Sequence, residues 1–415
     1  MEAPEGDTMK KKILTICLVL VLLSTAVVAT GHATGFFDFS SKQRKTVTIS
    51  QEEYDRLSRY SKMDTILQYI EAWYYEEPDV DALIENATRG LLYGLGDPYS
   101  FYYNEEEWAA EWEDDEGEYS GLGMELLGNA LDYTVTVTRV FRGAPAEQAG
   151  IRKGDILVRV EDIEVDFYSM TNAVNTMRGS ENDVGVTVEV EVLRGEEYLT
   201  FQVPRAIIHI NRVEYTMLND DVGYILLYQF AGKCQEEFAD ALKDLRSQGA
   251  KSLVVDLRDN GGGWVDAAID IADLFLDEEL LVYSQDRYGD KEEFKTKAGK
   301  DEIPLVFLVN GNSASASEIL SGGLHDLGRA KLVGTKTYGK GIIQTLIGLD
   351  GNKDGFQFTY AQYFLPSGTA VHKIGIEPDV VSEMPEELAS ALFDLGDLND
   401  PQLYDAWQTA KEMIP

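Results

Sequence analysis

The clearest hydrophobic pattern in the chain is an apolar run at residues 305–309, followed by small residues and then by helical spacing. The run predicts a buried strand, residues 311–316 predict a turn, and apolar positions over 319–327 predict a helix that ends at Gly328. A serine in this turn therefore lies at the start of a helix, directly after a buried strand. Backbone N–H groups and the helix dipole can stabilise a developing oxyanion at such a position.

Further strands and helices alternate before this unit, which is typical of an α/β core. Residues 222–230 and 252–257 predict buried strands, and residues 238–245 between them show helical spacing. The glycine run 261–263 then precedes another helix, so its backbone can approach a ligand and offer N–H donors. A plain turn has the same composition, and the glycine run alone leaves both interpretations open.

Residues 120–205 have a different pattern, made of short strands and one helix. Three segments (134–140, 156–160 and 184–193) predict strands, and apolar positions over 170–177 predict the helix. These features predict a separate, β-rich domain.

A glycine-rich loop opens this β-rich segment. Gly121, Leu122, Gly123 and Met124 lie directly before a predicted strand. Backbone N–H groups of such a loop can bind the terminal carboxylate of a peptide, and the strand behind the loop can pair with that peptide. On the loop alone, a plain hairpin turn is the simpler interpretation.

The N-terminus combines a basic cluster with an apolar run. Three lysines at 10–12 precede the uncharged residues 13–29. The run is at the short end of a membrane span and also suits a secretory signal. The lysines predict a cytoplasmic N-terminus, with everything after Thr30 outside the cytoplasm. We favour an uncleaved single-pass anchor in the cell membrane, whereas cleavage after Ala29 would release a secreted form.

These patterns predict an α/β core with an inserted β-rich domain, N- and C-terminal helical segments and an N-terminal membrane anchor. The predicted segments are a cytoplasmic tail with the transmembrane anchor or signal (1–34), a linker (35–49), an N-terminal helical region (50–105), the β-rich domain (106–206), the α/β core (207–383) and a C-terminal helical region (384–415).

Composition narrows the class of protein. The 415 residues carry a formal net charge of -37, which argues against nucleic acid as a partner and against electrostatic adhesion to anionic lipid. With two cysteines and four histidines, the chain offers neither a disulfide framework nor a cysteine metal cluster. We therefore expect neither a cofactor nor a metal.

The small-residue turn contains three serines, and a lysine follows twenty-five positions after the middle one. Ser315 and Glu318 have the spacing of a capping box, in which the serine only satisfies helix N–H groups, and Ser313 and Ser317 also fit capping. Lys340 lies between two glycines and fits either a solvated turn or a general base that activates a serine. As a base it requires burial, because desolvation lowers the pKa of a lysine.

Longer motifs help to choose between these interpretations. The segment APAEQAGIRKGDILVRVED at 144–162, with the loop at 121–124, resembles a PDZ domain, a module that generally binds C-terminal tails. The C-terminal processing peptidases, or tail-specific proteases, are similar in four motifs: LRDNGGG at 257–263, NSASASEIL at 312–320, GRAKLVGTKTYGKGIIQ at 328–344 and YFLPSG to GIEPDV at 363–380. The resemblance covers nearly the whole chain after the predicted linker.

The resemblance implies roles for five residues. Ser315 matches the nucleophile, Lys340 the general base and Gln344 the residue that orients the lysine. The backbone N–H groups of Gly262 and Ala316 match the oxyanion donors. The family also implies a protease core of crotonase/ClpP-like ββα units and cleavage through an acyl-enzyme.

The implied function is an exported, membrane-anchored serine endopeptidase for protein substrates with apolar C-terminal tails. The PDZ loop would capture the tail and feed the chain toward the serine. Arg178, between the PDZ helix and the next strand, is a candidate for coupling tail binding to the active site, although an arginine there is more often solvated. The N- and C-terminal helical segments predict a homodimer.

Alternatives to this function stay open at this point. One is an anchored PDZ adaptor with an inactive or latent protease-like body, and another is an acyl-CoA hydratase, which an exported location disfavours. A Ser-His mechanism would need His372, since His325 lies on the helix of Ser315, about 15 Å away by helical rise. The chain departs from the family pattern at Asn312, Gly261 and His325, but keeps each of the catalytic groups.

Overall fold

The computed structural model describes residues 47–116, 118–219, 221–388 and 391–415. The predicted membrane anchor and most of the predicted linker lie outside these residues. Within the described ranges, no helix is both long enough and apolar enough to span a bilayer. The chain divides into two units, one that ends at Asp81 and one that begins at Ala82.

Helices predominate in the first described segment. Its elements are α1 (Gln51–Ser58), α2 (Ser61–Trp73), α3 (Val80–Tyr93), β1 (Phe101–Tyr103) and α4 (Glu105–Glu116). Ser50 caps α1, because its side chain accepts a hydrogen bond from the Glu53 amide at 3.1 Å. The predicted helical region therefore also contains a short strand, β1, which follows a turn at residues 97–100.

The β-rich domain is built on one antiparallel sheet. Its elements are β2 (Glu118–Gly121), β3 (Met124–Gly128), β4 (Val135–Val140), α5 (Pro145–Ala149), β5 (Ile156–Val160), β6 (Ile163–Glu164), α6 (Met170–Arg178), a 3₁₀ turn (Glu181–Asp183), β7 (Thr187–Arg194), β8 (Glu197–Pro204) and β9 (Ala206–His209). The sheet order is β3-β4-β5-β7-β8, with β6 on β5, and β2 pairs with β9 separately. Val188, Val190 and Val192 all point into the core, which accounts for the alternating sequence of β7.

The remaining elements form the α/β core and the C-terminal region. They are β10 (Val213–Leu218), β11 (Val222–Leu227), α7 (Cys234–Gln248), β12 (Ser252–Asp256), α8 (Val265–Asp273), β13 (Leu280–Asp286), β14 (Lys291–Lys295), β15 (Leu305–Val309), α9 (Ala316–Asp326), β16 (Ala330–Gly334), β17 (Ile342–Leu349), β18 (Asp354–Phe364), β19 (Val380–Val381), a 3₁₀ turn (Glu386–Leu388) and α10 (Pro401–Glu412).

The main sheet of the core is covered on both faces, which explains the unbroken apolar runs in its strands. Its order is β10-β11-β12-β15-β16-β19, and every pair except β10 with β11 is parallel. Val255 and Phe307 belong to the core cluster on the side of α7, α8 and α9, whereas Val254 and Val306 pack on the side of α10. The carboxyl ends of β12 and β15 are neighbours, so the turns after these strands meet at one edge.

A second sheet adjoins the core helices and carries α4. Its order is β1-β18-β13-β14, and β17 pairs with the other edge of β18. The Trp108 side chain of α4 is buried against Gly355, where an added Cβ would lie 2.5 Å from the indole ring. The sequence pattern places residues 106–116 in the β-rich domain, whereas the structure has them in helix α4, which packs on β18 through Trp108, a contact between positions far apart in sequence.

The C-terminal region contains less helix than the sequence predicted. Among the described residues from 384 to 400, the helical structure is the single 3₁₀ turn, and α10 begins after its cap Asp400. Arg258 ties this helix to the sheet, since its Nη2 atom lies 2.7 Å from an oxygen of Asp400 and 2.7 Å from an oxygen of Asp256. All three side chains are largely buried, so two carboxylates depend on one guanidinium.

We expect Arg258→Ala to lower the free energy of unfolding by about 3–5 kcal/mol, because it leaves two buried carboxylates without their counter-charge. Urea unfolding followed by tryptophan fluorescence measures the change. Arg246→Ala is the matched control, since the Arg246–Asp301 pair in the same core is partly exposed and its loss should cost less than about 1 kcal/mol. Equal losses in the two variants would contradict a structural role for the buried pair.

Candidate active site

The turn between β15 and α9 separates three neighbouring serines by environment. The Ser313 hydroxyl donates to the Leu257 carbonyl at 2.7 Å, and the Ser317 hydroxyl donates to the Asn260 carbonyl at 2.8 Å. Both therefore tie this turn to the glycine-rich turn after β12. Ser315 instead lines a cavity of about 540 Å³ and is 9% exposed. Of the three serines, Ser315 is the one that a substrate in this cavity would meet.

The backbone at Ser315 has an unusual conformation. Its φ is 56° and its ψ is -116°, a combination that residues with a side chain rarely adopt. Such strain persists where the surrounding structure holds it in place, and it is found most often at functional sites. Ser315 is also the N-cap of α9, and its backbone N–H donates to the Glu318 side chain, which is one half of the predicted capping box. The cap position and the predicted nucleophile are therefore the same residue, and the two interpretations do not exclude each other.

The carboxylate of Glu318 joins the segments that carry the predicted nucleophile and base. One oxygen accepts from the backbone N–H of Ser315 at 3.0 Å and of Lys340 at 2.8 Å. The other accepts from the Gly339 N–H at 2.7 Å and from the Thr337 hydroxyl at 2.5 Å. Glu318 is fully buried, and burial raises its pKa while these four hydrogen bonds oppose the rise.

Lys340 lines the same cavity as Ser315 and is half-buried. Burial lowers the pKa of its ammonium group below the ordinary lysine value, and the negative charges of Asp97 and Glu318 partly counteract this effect. Its Nζ atom lies 4.5 Å from the centre of the Tyr99 ring. The burial that a lysine base requires is therefore present.

Gln344 also lines the cavity, four residues after Lys340 on β17. Its Nε2 atom donates to the Thr359 hydroxyl on β18 at 3.0 Å. The structure thus brings Gln344 close to the site and fixes its amide through Thr359. A direct orienting contact with Lys340 stays a prediction.

The two predicted oxyanion donors lie next to the serine. An added Cβ on Gly262 would lie 2.8 Å from the Ser315 Cβ and 2.9 Å from the Ala316 nitrogen, so only glycine fits at 262. Ala316 is the first residue of α9, where helix N–H groups are free of intrahelical partners. The Gly262 N–H, however, donates to the side-chain oxygen of Asn260 at 2.9 Å, so it is already engaged in this structure.

The histidine alternatives have different surroundings. His325 pairs with Asp379 at 3.2 Å, near the end of α9. His372 packs its backbone against Gly341, where an added Cβ would lie 2.3 Å from the His372 nitrogen. Its Nδ1 atom is buried without a hydrogen-bond partner, and burial lowers its pKa. His372 therefore stays an alternative base, one that the sequence alone also left open.

The predicted carboxylate loop borders a separate groove of about 280 Å³ between β3 and α6. Leu122, Gly123 and Met124 line this groove, together with Arg178 at the end of α6. Gly121 differs from the prediction, because it pairs with Ala206 in the β2–β9 sheet.

Tyr119 fills part of this groove. The Arg178 guanidinium lies 5.0 Å from the centre of the Tyr119 ring. Burial raises the pKa of the Tyr119 hydroxyl to about 12, although hydrogen bonding to the Gly123 and Met124 N–H groups opposes the rise. These are N–H groups that the sequence predicted to bind a peptide carboxylate.

Several residues at the site carried no functional prediction. Asn260 was part of a quoted motif, but nothing in the motif indicated that its side chain would occupy the Gly262 N–H. Glu318 was interpreted only as a helix cap. Asp97 and Tyr99 lay at the end of a helical pattern, and the turn signal Asp-Pro-Tyr-Ser was the one feature that could have marked them.

The α/β core and the inserted β-rich domain each match a known protein family. Residues 221–382 match Peptidase family S41, residues 120–204 match a PDZ domain, and residues 26–107 match the Activating protease CtpB N-terminal domain.

Relatives with known names narrow the class further. A Carboxy-terminal-processing protease of Bartonella bacilliformis is 35% identical over 351 residues, which cover 83% of this chain and 79% of the relative. A Carboxyl-terminal-processing protease of Synechocystis sp. is 34% identical over 380 residues, which cover 89% of this chain and 87% of the relative. The chain therefore belongs to the carboxy-terminal-processing proteases of peptidase family S41, and the predicted resemblance is confirmed.

A solved structure supports the same fold. An S41 protease from Bacteroides fragilis aligns with a TM-score of 0.57 at 15% identity, covering 83% of this chain and 92% of that chain. At this identity the likeness concerns the fold alone. The predicted architecture of a protease core with a PDZ domain and a helical N-terminal region is confirmed, whereas its description as crotonase/ClpP-like stays a prediction.

We expect Glu318→Gln to reduce peptidase activity by about 100-fold or more, since an amide NH₂ would face N–H donors and separate the Ser315 and Lys340 segments. Steady-state cleavage of an unstructured protein measures the loss. Glu237→Gln is the matched control, because Glu237 also accepts two backbone hydrogen bonds, at 2.8 Å and 3.0 Å, but on α7. The control variant should be less stable but should keep its activity per folded molecule. Full activity in Glu318→Gln would contradict the role of Glu318 in holding the Ser315 and Lys340 segments together.

Proposed function

We propose that this protein is a membrane-anchored, extracytoplasmic serine endopeptidase in which Ser315 is the nucleophile and Lys340 is the general base. One observation carries the proposal. Both residues line one cavity, and the backbone N–H groups of both donate hydrogen bonds to the Glu318 carboxylate. A PDZ adaptor without activity would need neither a strained serine nor a half-buried lysine in the same cavity. The adaptor is therefore the second candidate.

The reaction begins with a neutral Lys340, whose lowered pKa makes this form accessible. Lys340 takes the proton of the Ser315 hydroxyl while the serine oxygen attacks the scissile carbonyl carbon. The Ala316 N–H, at the positive end of α9, donates to the oxyanion, and Gly262 contributes once its N–H is released from Asn260. The proton then passes from Lys340 to the departing amine, which leaves an acyl-enzyme.

Hydrolysis of the acyl-enzyme repeats these roles with water as the nucleophile. Lys340 removes a proton from the water, and the Ser315 oxygen recovers it when the acyl group leaves. Gln344, on β17, orients the Lys340 side chain. No cofactor takes part in these steps.

The groove of the PDZ domain selects the substrate. An apolar C-terminal tail pairs with β3 and places its carboxylate at Gly123 and Met124, where Tyr119 is found in this structure. The carboxylate displaces the Tyr119 hydroxyl, and Arg178 supplies a positive charge. Two named relatives are carboxy-terminal-processing proteases, which supports the C-terminal region of a protein as the substrate.

The basic and apolar pattern at residues 10–29 supports a single N-terminal membrane span with the catalytic region outside the cytoplasm. Signal cleavage would give a secreted form of the same enzyme. Exposed apolar side chains on α2 support a homodimer: Ile66, Tyr69 and Trp73.

Ser315→Ala and Lys340→Ala should each abolish cleavage of a loosely folded reporter protein with an apolar C-terminal tail, with the lysine variant losing about 10²–10⁴-fold. Lys336→Ala is the matched control, since Lys336 is an exposed lysine four positions earlier and should retain full activity. Gel electrophoresis of the reporter over time measures the rates. Full activity in Lys340→Ala would overturn the base assignment and direct the test to His372.

Arg178→Ala should slow cleavage of the tailed reporter by about 5- to 10-fold, because it removes the charge that faces the tail carboxylate. The same reporter with its C-terminus amidated should be cleaved at similar rates by parent and variant. Arg142→Ala, an exposed arginine elsewhere in the PDZ domain, serves as the control. An equal loss on both reporters would contradict a role in tail recognition.

A further inference from the structure

A turn at residues 97–100 covers the predicted general base. The face of the Tyr99 ring lies 4.5 Å from the Lys340 Nζ atom, within the range of a cation–π contact. The Tyr99 hydroxyl meets the Tyr338 hydroxyl at 3.1 Å, two residues before the lysine. The ring is therefore held against the segment that carries Lys340.

Asp97 shapes this turn and supplies its charge. Its carboxylate accepts from the Tyr99 N–H at 3.0 Å and from the Ser100 hydroxyl at 2.6 Å. Burial raises the pKa of Asp97, but hydrogen bonds from Ser100 and Thr359, helped by the Lys340 charge, bring it below its ordinary value. The Asp97 carboxylate therefore lies on the turn whose Tyr99 ring contacts the Lys340 ammonium.

The same turn is bound to the strands beside the cavity. The Ser100 hydroxyl accepts from the Thr359 N–H at 3.1 Å, and Thr359 also accepts from Gln344 at 3.0 Å. The Gln357 side chain donates to the Tyr99 carbonyl at 3.1 Å. A continuous hydrogen-bonded path therefore joins Gln344 on β17 to the turn that faces Lys340.

We propose that Asp97 and Tyr99 are positioning residues for Lys340, with Tyr99 as the apolar wall and Asp97 as the fixed counter-charge. The proposal rests on the assignment of Lys340 as the base. A buried lysine must be neutral to accept a proton, but once it holds the proton its ammonium group must still be stabilised. The Tyr99 ring contributes to this burial, which alone would make the lysine too weak a base, and the Asp97 charge offsets part of that weakening.

Other charged and titratable groups also face this region. Glu318 approaches from α9, but its four acceptor contacts are directed at N–H and hydroxyl donors. Besides Lys340, the Asp97 charge raises the pKa of His372 and of the Tyr99 hydroxyl. Further carboxylates line the cavity on α4, α8 and β14: Glu111, Asp266 and Glu292.

The test is the pH profile of kcat/KM on a quenched fluorescent peptide with an apolar C-terminus. Activity of the parent should rise with pH as Lys340 loses its proton, and level off below the ordinary lysine value of 10.5. Asp97→Asn keeps the size of the side chain and removes the charge, so the lysine should lose its proton more easily. The rising limb should move to lower pH, and the plateau should fall about 3- to 10-fold because the base is weaker.

Two controls identify the source of the shift. Asp132→Asn removes another turn-forming aspartate, in the hairpin before β4. The rising limb and the plateau of its pH profile should be the same as in the parent. Asp97→Asn in a His372→Ala background should show the same displacement if it acts through Lys340. A plateau that falls without movement of the limb, or a limb that moves to higher pH, would overturn the proposal.

Tyr99 variants give an independent measurement, and they decide the question if Asp97→Asn fails to fold. Tyr99→Ala admits water to the ammonium, so its limb should move to higher pH, with a loss of about 3- to 30-fold. Tyr99→Phe keeps the ring and should recover most of that loss. Identical behaviour of the two variants would overturn the role of the ring.

If the parent enzyme shows no activity that depends on Lys340, the proposed function itself is refuted. If the parent is active but the rising part of its pH profile does not move in the Asp97 and Tyr99 variants, only the positioning role is refuted.

Discussion

The carboxylate of Glu318 accepts four hydrogen bonds from groups that belong to different segments of the chain. It is fully buried, and each contact fixes either the predicted nucleophile or the loop of the predicted base. A buried carboxylate without partners would be very unfavourable, so the fold must bring all four donors to it. The strained backbone at Ser315 persists because this arrangement leaves it little freedom. The distance between serine and lysine therefore depends on one side chain that belongs to neither.

The layers around the site explain why this arrangement is rigid. The main sheet is buried on both faces, and its neighbouring strands β12 and β15 end at the same edge. The turns after these strands are joined by the hydroxyls of Ser313 and Ser317. On the other face, Arg258 holds α10 through two buried carboxylates. The chemistry of the site is thus supported by hydrogen bonds and ion pairs whose members are distant in sequence.

The PDZ groove and the active-site cavity show a common feature, since in each a group of the protein occupies a predicted binding position. Tyr119 lines the groove beside Gly123 and Met124, and the Asn260 side chain accepts a hydrogen bond from the N–H of Gly262. Ligand binding at either place requires one of these groups to move. Such replacement satisfies buried N–H groups in the absence of substrate.

Local patterns in the sequence determined the elements of this protein. The apolar run of β15, the alternation in β7 and the serine at the start of α9 were predicted because each depends on neighbouring residues. Tertiary structure alone decided that Trp108 packs on β18, that the Tyr99 ring faces Lys340, and that Glu318 links two loops. These contacts join positions far apart in the chain. Periodicity records which face of an element is buried, but it does not record which distant residue lies against that face.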